Sequence, residues 1–277
     1  MKKHMRVAVI AVVCALAACL GLAACSSSSS SSSTSSSSSS TSSATSEVKT
    51  IEAGKITVAA SLDFPPFENL DTATGNPVGF DIDIMQALCD EMGYEMNFLP
   101  TMKFDALIPA VVSGTKIDCS ISGITISPER LAEVDFTDSY YDSNQSIVVM
   151  KNSGYTDVKQ LEGKKIGAQS GTSGYDWAVE NIKGADVVAF DEVTAVFAAL
   201  QSGQVDAVSI DLPVASDMIK NGYSDATIIQ ETPTGEQYGI AVNKDNPALT
   251  AAFNEALSTI KSNGTYDKIY DKWFKID

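Results

Sequence analysis

One pattern occurs twice in this chain, and it restricts the possible folds more than any other feature. An apolar helical stretch runs into Ser-Gly, then into a hydrophobic residue followed by Asp, then into a short strand. The first copy runs from Ala106 to Gly114 and on through Ile117-Asp118-Cys119-Ser120-Ile121-Ser122-Gly123. The second runs from Val196 to Gly203 and on through Val205-Asp206-Ala207-Val208-Ser209-Ile210-Asp211. A repeated helix-strand unit implies two similar lobes, with parallel strands and functional loops at the strands' carboxyl ends. The first copy ends in a small polar loop that leads to a cation, Arg130, and the second ends directly on an anion, Asp211. Placed on opposite sides of a cleft, the two would complement the carboxylate and ammonium of a free amino acid. A guanidinium presents a planar fork that binds a carboxylate through two parallel hydrogen bonds. Burying each charge of a zwitterion costs on the order of several kcal/mol unless that charge is met, so both lobes must contribute. Asp118 and Asp206, which precede the strands in both copies, read as structural.

Strands alternate with helices through the rest of the folded part. Lys55 to Ala60 reads as a first strand, followed by the turn-rich Asp63-Phe64-Pro65-Pro66-Phe67. Phe80, Ile84, Leu88 and Met92 recur every fourth residue and predict a helix that stops at Gly93. Further strands are expected near Glu95 to Leu99, Lys164 to Ala168 and Val187 to Phe190. Ser170 to Gly174 is a cap-rich helix start, and Pro213 suits a first helical turn. Pro247 opens the clearest helical stripe, Leu249, Phe253, Leu257 and Ile260, which Asn263-Gly264 ends. A short helix from Thr265 then carries Tyr266, Ile269, Tyr270 and Trp273 as core residues.

The N-terminal part has a different character. Lys2, Lys3 and Arg6 precede an apolar run from Val7 to Ala24, the pattern of a secretory signal. Its end, Leu22-Ala23-Ala24-Cys25, resembles a lipobox, where a bacterial lipoprotein is cut and its cysteine acylated; Cys19 closes a second match. An uncleaved anchor is the competing reading. From Ser26 to Ser46 every residue except Ala44 is Ser or Thr, a tract with nothing to bury and so a tether. As a coil of about 20 residues it reaches roughly 25 Å. Residues 1–24 are thus expected to be a signal peptide and 25–50 the acylated cysteine and tether. Removing the three cations of the signal takes the formal charge from −16 to −19, which argues against nucleic acid as a partner. The lone histidine, His4, lies in the signal, so the exported part has no imidazole for Ser-His or Cys-His catalysis or for a metal site. No cofactor is expected. Cys89 and Cys119 read as buried thiols, although export permits a disulfide between them.

From Gly79-Phe80-Asp81-Ile82-Asp83 onward the chain resembles the polar amino-acid solute-binding proteins of ABC importers, the family of glutamine- and histidine-binding proteins. The resemblance continues through Phe104 to Asp118, Ser122 to Arg130, Val134 to Tyr141, Gly167 to Thr172, Asp206 to Ala215 and Asn263 to Phe274, in the family's order. It implies an α/β, bilobed type II periplasmic-binding-protein fold: two parallel-rich sheets flanked by helices and joined by two crossovers. Lobe 1 would comprise 51–142 and 238–277, and lobe 2 would comprise 143–237, with crossings near Tyr141 to Asn144 and Gln237 to Gly239. By matching positions, Arg130 and Thr125 would hold the ligand carboxylate, with backbone N–H groups at Thr172 and Ser173 adding a helix start. Asp211 and the carbonyl of Gly123 would hold the ammonium. Phe64 and Phe104 would flank the ligand side chain, near Ser61, Asp63, Gln169 and Glu68. Gln169 stands where some family members carry Lys, so a glutamine ligand does not follow.

The resemblance implies a monomeric receptor that captures a free L-amino acid and presents it to an ABC permease, and the lipobox match would anchor it by lipid on the outer face of the cytoplasmic membrane. Binding would close the lobes, because only the closed state makes both sets of contacts. Two other functions share this fold: a dehydratase-like enzyme, whose acid would have to be a carboxylate such as Asp63 or Glu68, and a ligand-sensing domain. Residue by residue, other roles remain open as well. Arg130 fits an ion pair with Glu129 or Glu133, Asp211 fits a helix cap, and Phe64 and Phe104 fit ordinary core.

Overall fold

The computed structural model describes residues 48–275. The signal peptide, Cys19, Cys25 and all but the end of the tether lie outside the described residues. In chain order the first lobe contains β1 (Lys55–Ala59), β2 (Asp63–Phe64), β3 (Glu68–Leu70), β4 (Pro77–Val78), α1 (Phe80–Met92), β5 (Glu95–Phe98), α2 (Phe104–Ser113), β6 (Cys119–Ser120), α3 (Pro128–Glu133) and β7 (Asp135–Phe136). The second contains β8 (Tyr141–Met150), β9 (Lys165–Gln169), α4 (Ser173–Asn181), β10 (Asp186–Phe190), α5 (Val193–Gln201), β11 (Ala207–Asp211), α6 (Leu212–Asn221) and β12 (Ala226–Tyr238). The chain then returns to the first lobe as β13 (Ala241–Val242), α7 (Pro247–Ser262) and α8 (Thr265–Phe274).

Each lobe is built on a five-stranded sheet, in the orders β5-β1-β6-β13-β7 and β10-β9-β11-β8-β12. In each sheet four strands run in one direction and one, β13 in the first and β8 in the second, runs against them, so two pairings are parallel and two antiparallel. The sheets are therefore mixed, and the reason is the connection between lobes. β8 and β12 pair antiparallel along their length, with Tyr141 opposite Tyr238 at the crossing. Strands that leave and re-enter a lobe must run in opposite directions.

The helical stripes read from sequence face the sheets. Phe80, Ile84 and Leu88 of α1 and Leu249, Phe253, Leu257 and Ile260 of α7 are buried, each side chain contributing about 1.5–3 kcal/mol relative to exposure. Gly93 ends α1 in the left-handed conformation, φ 74°. At the entry to α1, a Cβ on Gly79 would stand 2.0 Å from the Phe67 carbonyl oxygen, so the close approach of these two segments admits only glycine. The α8 stripe is less buried than the sequence implied: Tyr270 is exposed, and Tyr266, Ile269, Trp273 and Phe274 are only partly buried, because the helix lies on the surface of the core. Phe274 lies 5.1 Å from Phe80 and 5.0 Å from Tyr141, centroid to centroid, and Phe67 is 4.8 Å from Tyr141.

Both copies of the duplicated unit use their aspartate in the same way. Asp118 N–H donates to the Thr57 carbonyl and Asp206 N–H to the Lys165 carbonyl, both at 2.8 Å. The Asp118 carboxylate accepts the N–H groups of Ile51 (2.8 Å) and Thr57 (2.7 Å). The Asp206 carboxylate accepts the Lys165 N–H (3.1 Å) and the Tyr155 hydroxyl (2.9 Å). Each ties its strand to the neighbouring parallel strand. Cys89 and Cys119 are free and buried, and burial pushes both thiols up from their ordinary pKa.

Candidate functional site: the cleft between the lobes

The loop after β6 carries Gly123 and Thr125, and it is supported from beneath by two buried carboxylates. Gly123, at φ 53°, donates its N–H to Asp81 Oδ2 at 2.9 Å, and Tyr140 donates its hydroxyl to the same oxygen at 2.8 Å. Ser122 Oγ donates to Glu68 Oε1 at 2.7 Å. Burial raises Asp81 to about 6 and Glu68 well above the usual carboxylate range, the latter also under the charge of Asp81. Glu68 is sealed inside lobe 1, because the β2–β4 hairpin folds it under this loop; it does not reach the cleft, contrary to the sequence-based expectation. Among the described residues no hydrogen bond uses the Gly123 carbonyl.

Arg130 projects from the short helix α3, whose first turn is capped by Ser127. Its Nη1 donates to the Thr125 carbonyl (2.7 Å), and its Nη2 crosses to the Gly171 carbonyl of lobe 2 (3.0 Å). The guanidinium carbon lies 5.5 Å from the Phe104 ring centroid, within cation–π reach. Among the described ion pairs Arg130 takes part in none, with Glu129, Glu133 or Asp211. Burial pulls its pKa down, opposed chiefly by Asp176, Asp211 and Glu236. The guanidinium still has donors to give, since two of its five N–H groups are used.

Opposite stands the start of α4. Thr172 is the N-cap; its hydroxyl accepts from Tyr175 N–H (3.2 Å) and donates to the Gln169 carbonyl (2.8 Å), so that side chain is fully engaged. The backbone N–H groups of Thr172 and Ser173 have no acceptor among the described residues. Ser173 Oγ lies 3.3 Å from Thr125 Oγ1 across the cleft.

Asp211 ends β11 and is buried. It precedes α6 without capping it through its side chain. Instead its Oδ1 accepts the hydroxyls of Tyr238 and Ser143 (3.1 Å). Burial, and then the charge of Glu236, push its pKa up to about 7. Among the described residues no cation pairs with it.

At the outer end of the cleft, Asp63 accepts Ser61 Oγ at 2.7 Å and the N–H of Val193, at the start of α5 in the other lobe, at 2.7 Å. Gln169 Nε2 approaches Asp63 Oδ2 at 3.3 Å. Burial raises the pKa of Asp63 despite these donors. A groove of about 510 Å³ opens here, lined by Ser61, Asp63, Lys103, Asp191 and Glu192 among others. Lys103 and Asp191 form a 2.6 Å ion pair between lobes. Phe64 is buried, stacked 5.8 Å from Phe67, and its ring lies under Gly123.

The model of the bacterial extracellular solute-binding proteins, family 3, matches residues 56–276. The chain belongs to this family. It is 38% identical over 227 residues to ABC transporter arginine-binding protein 1 of Escherichia coli, covering 80% of this chain and 91% of that one. A probable histidine-binding protein of Neisseria gonorrhoeae is 34% identical, covering 80% of this chain and 84% of that one. Among solved structures, an ancestral arginine-binding protein bound to arginine superposes with a TM-score of 0.75 at 43% identity, covering 80% of this chain and 98% of that one.

The structure thus brings Thr125, Arg130, Ser173, Asp211 and Gly123 around one cleft, with Ser61, Asp63 and Gln169 at its outer end. Four neighbours escaped the sequence reading: Ser143, Gln145, Glu236 and Tyr238. Tyr238 sits at the expected second crossing, and strand alternation from it would have placed Glu236 on the same face. Ser143 and Gln145 face it only through the register of β8 with β12.

Proposed function

We propose that this protein is an extracytoplasmic receptor of an ABC importer that binds one free L-amino acid between its lobes, and that the ligand has a cationic side chain. Arg130, Thr125 and the N–H groups of Thr172 and Ser173 take the carboxylate. Asp211 and the Gly123 carbonyl take the ammonium, with Phe64 beneath Gly123 and Phe104 against Arg130. Asp63, Ser61 and Gln169 meet the side chain. The observation that carries this reading is the separation of opposite charges: an arginine with unused donors on one lobe, and on the other a buried aspartate with no cation among the described residues. Acidity at the outer groove, where Asp63, Asp191 and Glu192 outnumber Lys103, supports a cationic tip, as do relatives named for arginine. The same relatives, named for binding rather than for a reaction, favour a receptor over an enzyme.

On this reading residues 1–24 are the signal, Cys25 is acylated, and the tract to residue 50 holds a monomeric body, lobe 1 at 51–142 and 238–277 and lobe 2 at 143–237, near a membrane permease. Calorimetry of the full-length chain in detergent against a panel of amino acids tests the ligand. Micromolar or tighter binding of arginine, lysine or histidine is expected, and a panel without a micromolar binder refutes the proposal. Cys25→Ser should release the protein into the medium; continued membrane retention removes the anchor from Cys25.

A further inference from the structure

The Thr125 hydroxyl assigned above to the ligand's carboxylate, and the Ser173 hydroxyl beside the N–H groups assigned to it, are already engaged with a carboxylate of the chain itself. Glu236 Oε2 accepts Thr125 Oγ1 of lobe 1 at 2.9 Å, Ser173 Oγ of lobe 2 at 2.8 Å and Gln145 Nε2 at 3.2 Å. The backbone is shaped to deliver it. Thr232 faces Gln145 and Glu236 faces Ser143, so β12 has gained two residues on β8 over this stretch. Gly235 takes φ 68° within it. An irregularity of this kind re-aims a side chain, and glycine adopts the left-handed conformation without a Cβ penalty. Glu236 then shares its face with Tyr238, two residues on, whose hydroxyl is bonded to Asp211. Among the described ion pairs Glu236 has no cationic partner. It is held by neutral donors from both lobes and lies close enough to Asp211 to help raise that group's pKa.

We infer that Glu236 is an internal stand-in for the ligand's α-carboxylate, a latch that bridges Thr125 and Ser173, favours lobe closure by itself and must be displaced before an amino acid binds. This rests on the carboxylate subsite assigned under the proposed function. One pair of hydroxyl protons cannot serve two carboxylates, and two like charges at that spacing repel. Glu236 is only half-buried, so it has solvent to move into. The apparent affinity falls by the fraction of molecules in which the subsite is free; a latch made nine times in ten weakens binding roughly tenfold. Glu236 therefore sets the working affinity of the receptor and the extent to which it closes without cargo.

The test uses the full-length chain in detergent with Glu236→Ala and Glu236→Gln, the second nearly isosteric in case the first fails to fold. Fluorophores at the exposed positions Glu91 and Glu180 report the distance between lobes. The folded variant should bind the wild-type protein's preferred amino acid about tenfold more tightly, and without amino acid it should show a longer mean distance between lobes that ligand then shortens. Wild-type binding with an unchanged or weakened affinity in the variants overturns the latch and leaves the receptor reading intact. An unchanged lobe distance without amino acid also overturns it. A wild-type chain that binds no amino acid removes the receptor reading and this inference with it.

Discussion

Replacing Arg130 by alanine is the most direct probe of the cleft. The guanidinium holds Thr125 O at 2.7 Å and Gly171 O at 3.0 Å, so it fastens the ends of two loops in different lobes and leaves three N–H donors unused. Removing one partner of a desolvated, hydrogen-bonded charge pair costs about 2–5 kcal/mol, largely because the other charge is left unmet. At about 1.4 kcal/mol per decade this is a loss of roughly 30-fold to several thousand-fold in affinity. Arg130→Lys retains the charge but replaces a planar fork by a point donor that cannot reach both carbonyls, so its affinity should fall between those of wild type and Arg130→Ala. Isothermal titration of each variant with the preferred amino acid measures this, and thermal melts without ligand separate lost binding from lost folding. A decrease below threefold in Arg130→Ala would show that the ligand carboxylate is held elsewhere.

Asp211, raised to about 7, and Asp81, raised to about 6, favour folding in their protonated forms. Their contribution is fully present below about pH 4, where the unfolded carboxylates are also protonated, and is lost as pH rises through 6–7. Melting temperature without ligand should fall over that window, less so in Asp211→Asn. Pairing with an ammonium requires ionised Asp211, so binding near pH 6 should release a proton and strengthen as pH rises; titrations in two buffers of different ionisation heat that reveal no proton release would refute this role. Gly123→Ala combines a left-handed φ with a Cβ placed 2.8 Å from the Phe64 ring, so stability should fall by about 1–3 kcal/mol and affinity with it; an unchanged melt would contradict the tight loop. Asp118→Asn and Asp206→Asn each weaken a carboxylate that accepts two hydrogen bonds and should cost about 1–3 kcal/mol of stability while leaving ligand affinity within twofold, since neither side chain reaches the cleft.

Much of the site was legible because its residues sit at the ends of strongly patterned elements. Asp211 ends β11 and Gly123 closes the first copy beyond β6, so the duplicated unit marked both, whereas Thr125 was named through the family resemblance. The roles left open for single residues depended on neighbours that sequence does not bring near. Asp211 is held by the hydroxyls of Tyr238 and Ser143 rather than by the start of α6, and Arg130 spans two carbonyls rather than pairing with Glu129 or Glu133. Glu68, expected near the ligand side chain, is instead buried with Asp81, because the hairpin that carries it folds beneath the Gly123 loop.

The sequence by itself determined the local structure and the division of charge. Fourfold apolar spacing fixed α1 and α7, Ser-Gly followed by an apolar-Asp pair marked the turn into β6 and β11, and Arg130 and Asp211 fell in different copies of one unit. These features depend on interactions within a turn or two of chain, where periodicity is a direct record of which face is buried. The tertiary structure alone decided the contacts across the cleft: Glu236 on Thr125 and Ser173, Asp63 at the start of α5, and Arg130 on Gly171. Those contacts join residues from about 40 to 130 positions apart; the Glu236 contacts depend on the register of β8 with β12 and the others on how the two lobes face each other, neither of which a local pattern sets.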